Sequence, residues 1–185
     1  MILEDHLWLD PETWGEVQSG LDWLLSLHAK RCGPILEMAA CILRRMQAVD
    51  PVLSQVCAWT CPECVHPCCQ RATVRYDLRD LLFLHCIHWA VPVGHPSPDA
   101  GDCCYLGPEG CMMPRFVRPF LCTWYLCPSQ MDILRQAGNG PLAQLPQRLQ
   151  EIQDLRKDLE EAFVQMVVSP PGAVPRAGMY HPFGV

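Results

Sequence analysis

The chain has 185 residues, 50% apolar and 18% charged, which is one domain's length and excludes both a two-domain layout and a chain disordered by composition. Its net charge of −6, with two lysines beside twelve arginines, excludes the basic stripe that a nucleic-acid binder needs to meet phosphates. The longest near-apolar run, Leu81 to Val93, is too short to cross a bilayer.

The start, Met1-Ile2-Leu3-Glu4-Asp5, is acidic where a secretory signal is basic, so the expectation is a cytoplasmic protein with no membrane partner. Residues 1–185 read as a single domain in four parts. Residues 1–50 form an N-terminal helical hairpin. Asp10-Pro11-Glu12 supplies an N-cap, a proline at the first helical position and an acid in the first turn. Trp14, Val17, Leu21, Leu24 and Leu25 recur on one face, Gly33-Pro34 breaks the helix, and Ile35, Met38, Ile42 and Met46 restart the period.

Residues 51–130 are the cysteine-cluster core, rich in proline and turn signals. One helix is predicted within it, from Asp77 through about Trp89, because Leu78, Leu81, Leu82, His85 and Trp89 share a face. Val91 to Gly110 reads as loop. Gly138-Asn139-Gly140-Pro141 then breaks the chain. Residues 131–168 carry the C-terminal helix, where Leu145, Leu149, Ile152, Leu155, Leu159, Phe163 and Met166 make a stripe that packs on the core. The tail, 169–185, is proline- and glycine-rich and predicted to be poorly ordered.

Cysteine is the anomaly: thirteen residues, eleven of them between Cys57 and Cys127. A reducing compartment, together with an odd count, points to metal-binding thiolates in place of a disulfide framework. The first cluster is Cys61-Pro62-Glu63-Cys64-Val65-His66-Pro67-Cys68-Cys69. Its C-x2-C spacing lets a tight turn aim two sulfurs at one metal, as in zinc ribbons and iron–sulfur loops. Adjacent cysteines diverge, so Cys68-Cys69 suits a cluster or two neighbouring sites. The second cluster is Cys103-Cys104-Tyr105-Leu106, then Cys111, then Arg118-Pro119-Phe120-Leu121-Cys122 and Cys127.

In this order the elements resemble the YkgJ-type cysteine-cluster family, also called the CxxCxxCC family, described as a zinc- or iron-chelating domain. The resemblance rests on Cys61-x2-Cys64-x3-Cys68-Cys69, on the acid-started helix Asp77-Leu78-Arg79-Asp80-Leu81-Leu82, on Cys104-Tyr105-Leu106 through Gly110-Cys111, and on Arg118-Pro119-Phe120-Leu121-Cys122-x4-Cys127. It covers about residues 57–128. Thr123 stands where the family carries arginine, and Met112-Met113-Pro114 replaces its usual Ile-Tyr pair. The resemblance implies metal held by Cys61, Cys64, Cys68, Cys69, Cys104, Cys111, Cys122 and Cys127, with Cys103 as a competitor of Cys104.

The expected fold is therefore mainly α with irregular loops: a small metal-stapled cysteine-cluster core flanked by N- and C-terminal helices. Four thiolates leave a net charge of about −2 on a divalent ion or a four-iron cluster, and Arg118, with Arg115, is placed to offset it. The all-sulfur set and the Cys68-Cys69 pair favour an iron–sulfur cluster over zinc. Some relatives of the family resemble flagellin lysine N-methylases. This leaves two alternatives to plain metal binding: a cluster-dependent enzyme that modifies a protein substrate, or a zinc-stapled protein-interaction module.

Other features carry bland readings. Cys57-x3-Cys61-x2-Cys64 has the spacing of a radical S-adenosylmethionine signature, but Glu63 replaces the usual aromatic and no strand–helix repeat accompanies it, so Cys57 reads as a spare thiol. His66 is a possible substitute ligand inside the first cluster. His85 and His88 read as satisfied core histidines, and Trp59, Trp89, Trp124 and Tyr125 as packing around the site.

Overall fold

The computed structural model describes residues 11–62, 64, 65, 68, 75–92, 103, 105–107 and 110–169. These residues form six helices: α1 (Pro11–Leu27), α2 (Gly33–Thr60), α3 (Leu78–Cys86), α4 (Leu121–Trp124), α5 (Pro128–Gln136) and α6 (Leu145–Val168). Two antiparallel two-residue strands, β1 (Leu106–Gly107) and β2 (Gly110–Cys111), pair Leu106 with Cys111. The fold is mainly α, as expected. None of the described helices is long and apolar enough to cross a membrane. Asp10, the expected cap of α1, lies outside the described residues, as do most of the expected loop 91–110 and the tail beyond Ser169.

The core belongs to the helices. Along α2, Ile35, Met38, Ala39, Ile42, Met46, Val49, Leu53 and Val56 are buried at three- and four-residue spacing. They pack against α6, which buries Leu145, Leu149, Ile152, Leu159, Phe163 and Met166. The helix does not stop near residue 50: Pro51 lies inside α2. An internal proline costs about 3 kcal/mol. Burying Val49, Leu53 and Val56 on either side of it returns roughly 1.5–3 kcal/mol each, so packing wins and the helix runs on to Thr60.

Helix α3 is apolar nearly all round, with Leu81, Leu82, Phe83 and Leu84 buried, and so sits inside the bundle. Asp77 starts it with a reciprocal capping box: the Asp80 amide donates to Asp77 Oδ1 at 2.7 Å and the Asp77 amide donates to Asp80 Oδ2 at 3.0 Å. The helix ends at Cys86, three residues earlier than its periodicity predicts. His88 turns the chain there with a left-handed φ of 54°, and the Trp89 amide bonds back to the Leu84 carbonyl.

Asp80 and Arg156 form a charged pair buried within this apolar frame. Asp80 on α3 accepts from Arg156 on α6 at 2.7 Å and from the Phe120 amide at 2.9 Å. Arg156 also reaches Asp77 at 3.1 Å and lies 4.6 Å from the centre of the Phe120 ring. The pair joins α3 and α6 to the start of α4, the helix that carries Cys122.

Candidate metal centre

The cysteine-bearing segments meet where α2 ends and where α4 and α5 begin. Cys61 is the C-cap of α2, and the Cys64 amide donates to the Cys61 carbonyl at 3.1 Å. The Cys61-x2-Cys64 spacing thus forms the tight turn expected of it. Cys127 caps the N-terminus of α5, Cys122 lies in α4, and Cys111 lies in β2.

The thiols report on one another electrostatically. Burial pushes Cys61 up to about 11, reinforced by Cys57 and Cys68. Cys122 is exposed as a residue, yet desolvation, followed by the thiols of Cys111, Cys103 and Cys68, pushes its thiol up to about 12. Cys68 therefore lies within electrostatic reach of both Cys61 and Cys122. The first cysteine segment and the second, more than thirty residues apart, converge on one neighbourhood.

Tyr76 lies between this neighbourhood and the buried acid. Burial raises its phenol well above the ordinary range, with Tyr105, Asp80, Cys122 and Cys111 adding to the rise. Its hydroxyl donates to the Val117 carbonyl at 2.8 Å.

Arg118 is also part of the neighbourhood. Its Nε donates to the Met113 carbonyl at 2.9 Å and its Nη2 to the Cys111 carbonyl at 3.3 Å, and its charge pulls the Cys122 pKa down against the thiols. Arg115 differs from the expectation. It is buried, and it donates to Asp50 at 2.5 Å and Ser54 at 3.3 Å on α2, which ties this segment to the bundle instead of facing sulfur.

Of the eight expected ligands, Cys61, Cys64, Cys68, Cys111, Cys122 and Cys127 are described, whereas Cys69 and Cys104 lie outside the described residues, as does His66, the possible substitute. Among the described residues no three histidine, cysteine or acidic side chains are close enough together to enclose an ion. The donor chemistry suits a thiophilic metal: sulfur predominates, with Arg118 as a neighbouring cation. Cys32 and Cys86 are buried thiols in the helical core, and burial, then Cys32, pushes Cys86 up to about 12.

Two expectations about the surroundings change. Trp59, Trp89, Trp124 and Tyr125 are exposed and not packed inside; Trp89 leans edge-on against Phe116 at 4.9 Å. Trp124 and Tyr125 lie at short turns whose buried residues are Val117, Phe120 and Thr123, and Trp59 lies on the outer face of α2, whose buried face carries Leu53 and Val56. Of the two expected core histidines only His85 is one, with Asp22 on α1 at 2.6 Å from its Nδ1 and Gln18 on its Nε2; His88 is exposed on the turn after α3.

Sequence reasoning did not single out Gln130. This buried side chain accepts from the Cys127 amide through Oε1 at 3.1 Å, and its Nε2 donates to Cys57 Sγ at 3.5 Å and to Thr60 Oγ1 at 3.4 Å. A signal was available: Cys127-Pro128-x-Gln130 places proline and glutamine where a helix start favours them. No family model matches the chain, and no curated protein and no solved structure matches it.

Proposed function

We propose that the chain is a metal-binding protein of the kind its cysteine motifs resemble, holding an iron–sulfur cluster or zinc through Cys61, Cys64, Cys68, Cys69, Cys104, Cys111, Cys122 and Cys127. The observation that carries this reading is the convergence of Cys68, Cys103, Cys111 and Cys122 from two distant segments. A thiol that neighbouring thiols hold in its protonated form, as they do Cys122, gains from a cation that displaces the proton. In this reading the metal staples the end of α2 to β2, α4 and the start of α5. Metal binding then contributes to folding free energy in the part of the chain with the least regular structure.

Arg118 offsets the negative charge of the thiolates while its backbone bonds hold the Cys111 turn. The all-sulfur set and the adjacent Cys68-Cys69 pair favour iron–sulfur. Such a group supplies one-electron redox chemistry, whereas zinc in closed four-sulfur sites supplies structure alone. The protein works in a reducing, cytoplasmic setting in this reading.

The test is metal and acid-labile sulfide analysis of protein purified without air, with its visible absorption spectrum. Iron and sulfide in comparable amounts in a brown protein is the expected result. A colourless protein with about two zinc ions keeps the ligand set and changes the metal. Absence of both metals overturns the proposal.

A further inference from the structure

A cleft of about 450 Å³ lies between α1 and the turn that follows α3. Gln18 and Asp22 line it from α1, and His85, His88 and Trp89 line it from the end of α3 and its turn. Its volume falls within the roughly 300–1,000 Å³ of small-molecule pockets. No candidate metal ligand is among these lining residues.

Gln18 carries the main observation. Its Oε1 lies 2.5 Å from His85 Nε2, and its own Nε2 is buried with no hydrogen-bond partner among the described residues. Turning the amide over would put Oε1 in the same place, so one polar atom of Gln18 lacks a partner in either orientation. Leaving such an atom buried is costly, and a bound group that completes it removes the cost. His85 fixes both polar groups of α1: its side chain is nearly buried, and its Nδ1 meets Asp22 Oδ1 at 2.6 Å. Trp89 is fixed as well, edge-on against Phe116, yet its ring remains exposed.

The chemistry of the lining narrows the ligand. A metal ion does not fit, because among the described residues no three histidine, cysteine or acidic side chains are close enough to enclose one. An anion would meet the Asp22 carboxylate, and a cation would leave the Gln18 Nε2 donor unmet. A hydroxyl donates to a carboxylate and accepts from an amide, and two neighbouring hydroxyls on a ring do both at once. The C–H face of such a ring packs against an exposed indole.

We infer that this cleft binds a polyhydroxylated ring, a monosaccharide or a cyclitol. Gln18 and Asp22 bond its hydroxyls, Trp89 packs on its apolar face, and His85 is the positioning residue. The site is independent of the metal-binding reading and does not fall with it.

The test is saturation-transfer NMR on the full-length chain with glucose, galactose, mannose, xylose, N-acetylglucosamine and myo-inositol, each at up to about 10 mM. At least one is expected to bind. Gln18→Ala should weaken its binding about three- to ten-fold and Trp89→Ala at least about ten-fold, whereas Asp132→Ala, on the exposed face of α5, should match wild type. A second measurement needs no variant: in wild type, a saturating amount of the bound sugar should slow diethyl pyrocarbonate labelling of His88 and leave His28 unchanged. Binding by none of the six overturns the inference, as does binding of acetate or tetramethylammonium in their place. Sugar binding that both variants leave intact, or that leaves His88 labelling unslowed, overturns it too.

Discussion

Ile152, midway along α6, and Cys122, on the four-residue helix α4, sit in different surroundings, and different forces hold them. Ile152 is fully buried, and its helix packs on the aliphatic face of α2. Cys122 has other thiols for neighbours, and around it the backbone is two short strands, single turns and loop. Apolar burial is indifferent to metal and redox state. A packed thiol set is not: its members are costly to ionise together until a cation compensates them. The difference suggests that the helical bundle is stable on its own terms and that the sulfur end is conditional.

The largest expected effect is at the joint between the two regions. Asp80→Ala leaves the buried Arg156 guanidinium without its closest partner and releases the Phe120 amide, so it should cost about 3–5 kcal/mol in urea unfolding. A cost under about 1 kcal/mol would mean that the pair does not hold the regions together. Ile152→Ala, well inside the bundle, should cost about 2–5 kcal/mol and leave the metal content per chain unchanged. Altered metal content in that variant would show that the two regions are not separable.

A smaller effect concerns pH. Burial pushes Asp80 up to about 6, with Asp77 adding to the rise, against the pull of Arg156 and the two backbone amides. The folded state therefore binds the proton more tightly than the unfolded chain. The stability this contributes is present below the ordinary pKa of 3.8 and is lost as pH rises through 6. It amounts to up to about 3 kcal/mol. Asp80→Asn should flatten the stability profile between pH 4 and pH 7, and a profile as steep as that of wild type would contradict this assignment.

The regular part of the fold was legible because its helices are long enough for periodicity to speak. The stripe from Leu145 to Met166 coincides with α6. What the stripe hid is Arg156, which follows Leu155 and reads as a solvated flank; only the position of Asp80 across the bundle explains its burial. Helix α4 is too short to show a period, and α5 went unread because its start, Cys127-Pro128, belongs to the cysteine motif. Cys57 was set aside for a related reason. Its place one helical turn before Cys61 exists only because α2 continues through Pro51 to Thr60, and tertiary packing, not local preference, decides that. The cysteine motifs were legible as chemistry, but spacing does not disclose which sulfurs approach one another.

The most direct test is the first coordination shell of the metal, read by X-ray absorption at the iron or zinc edge of the full-length protein purified without air. The account predicts a shell of sulfur alone, at about 2.3 Å if the metal is zinc. A shell dominated by nitrogen or oxygen would contradict it.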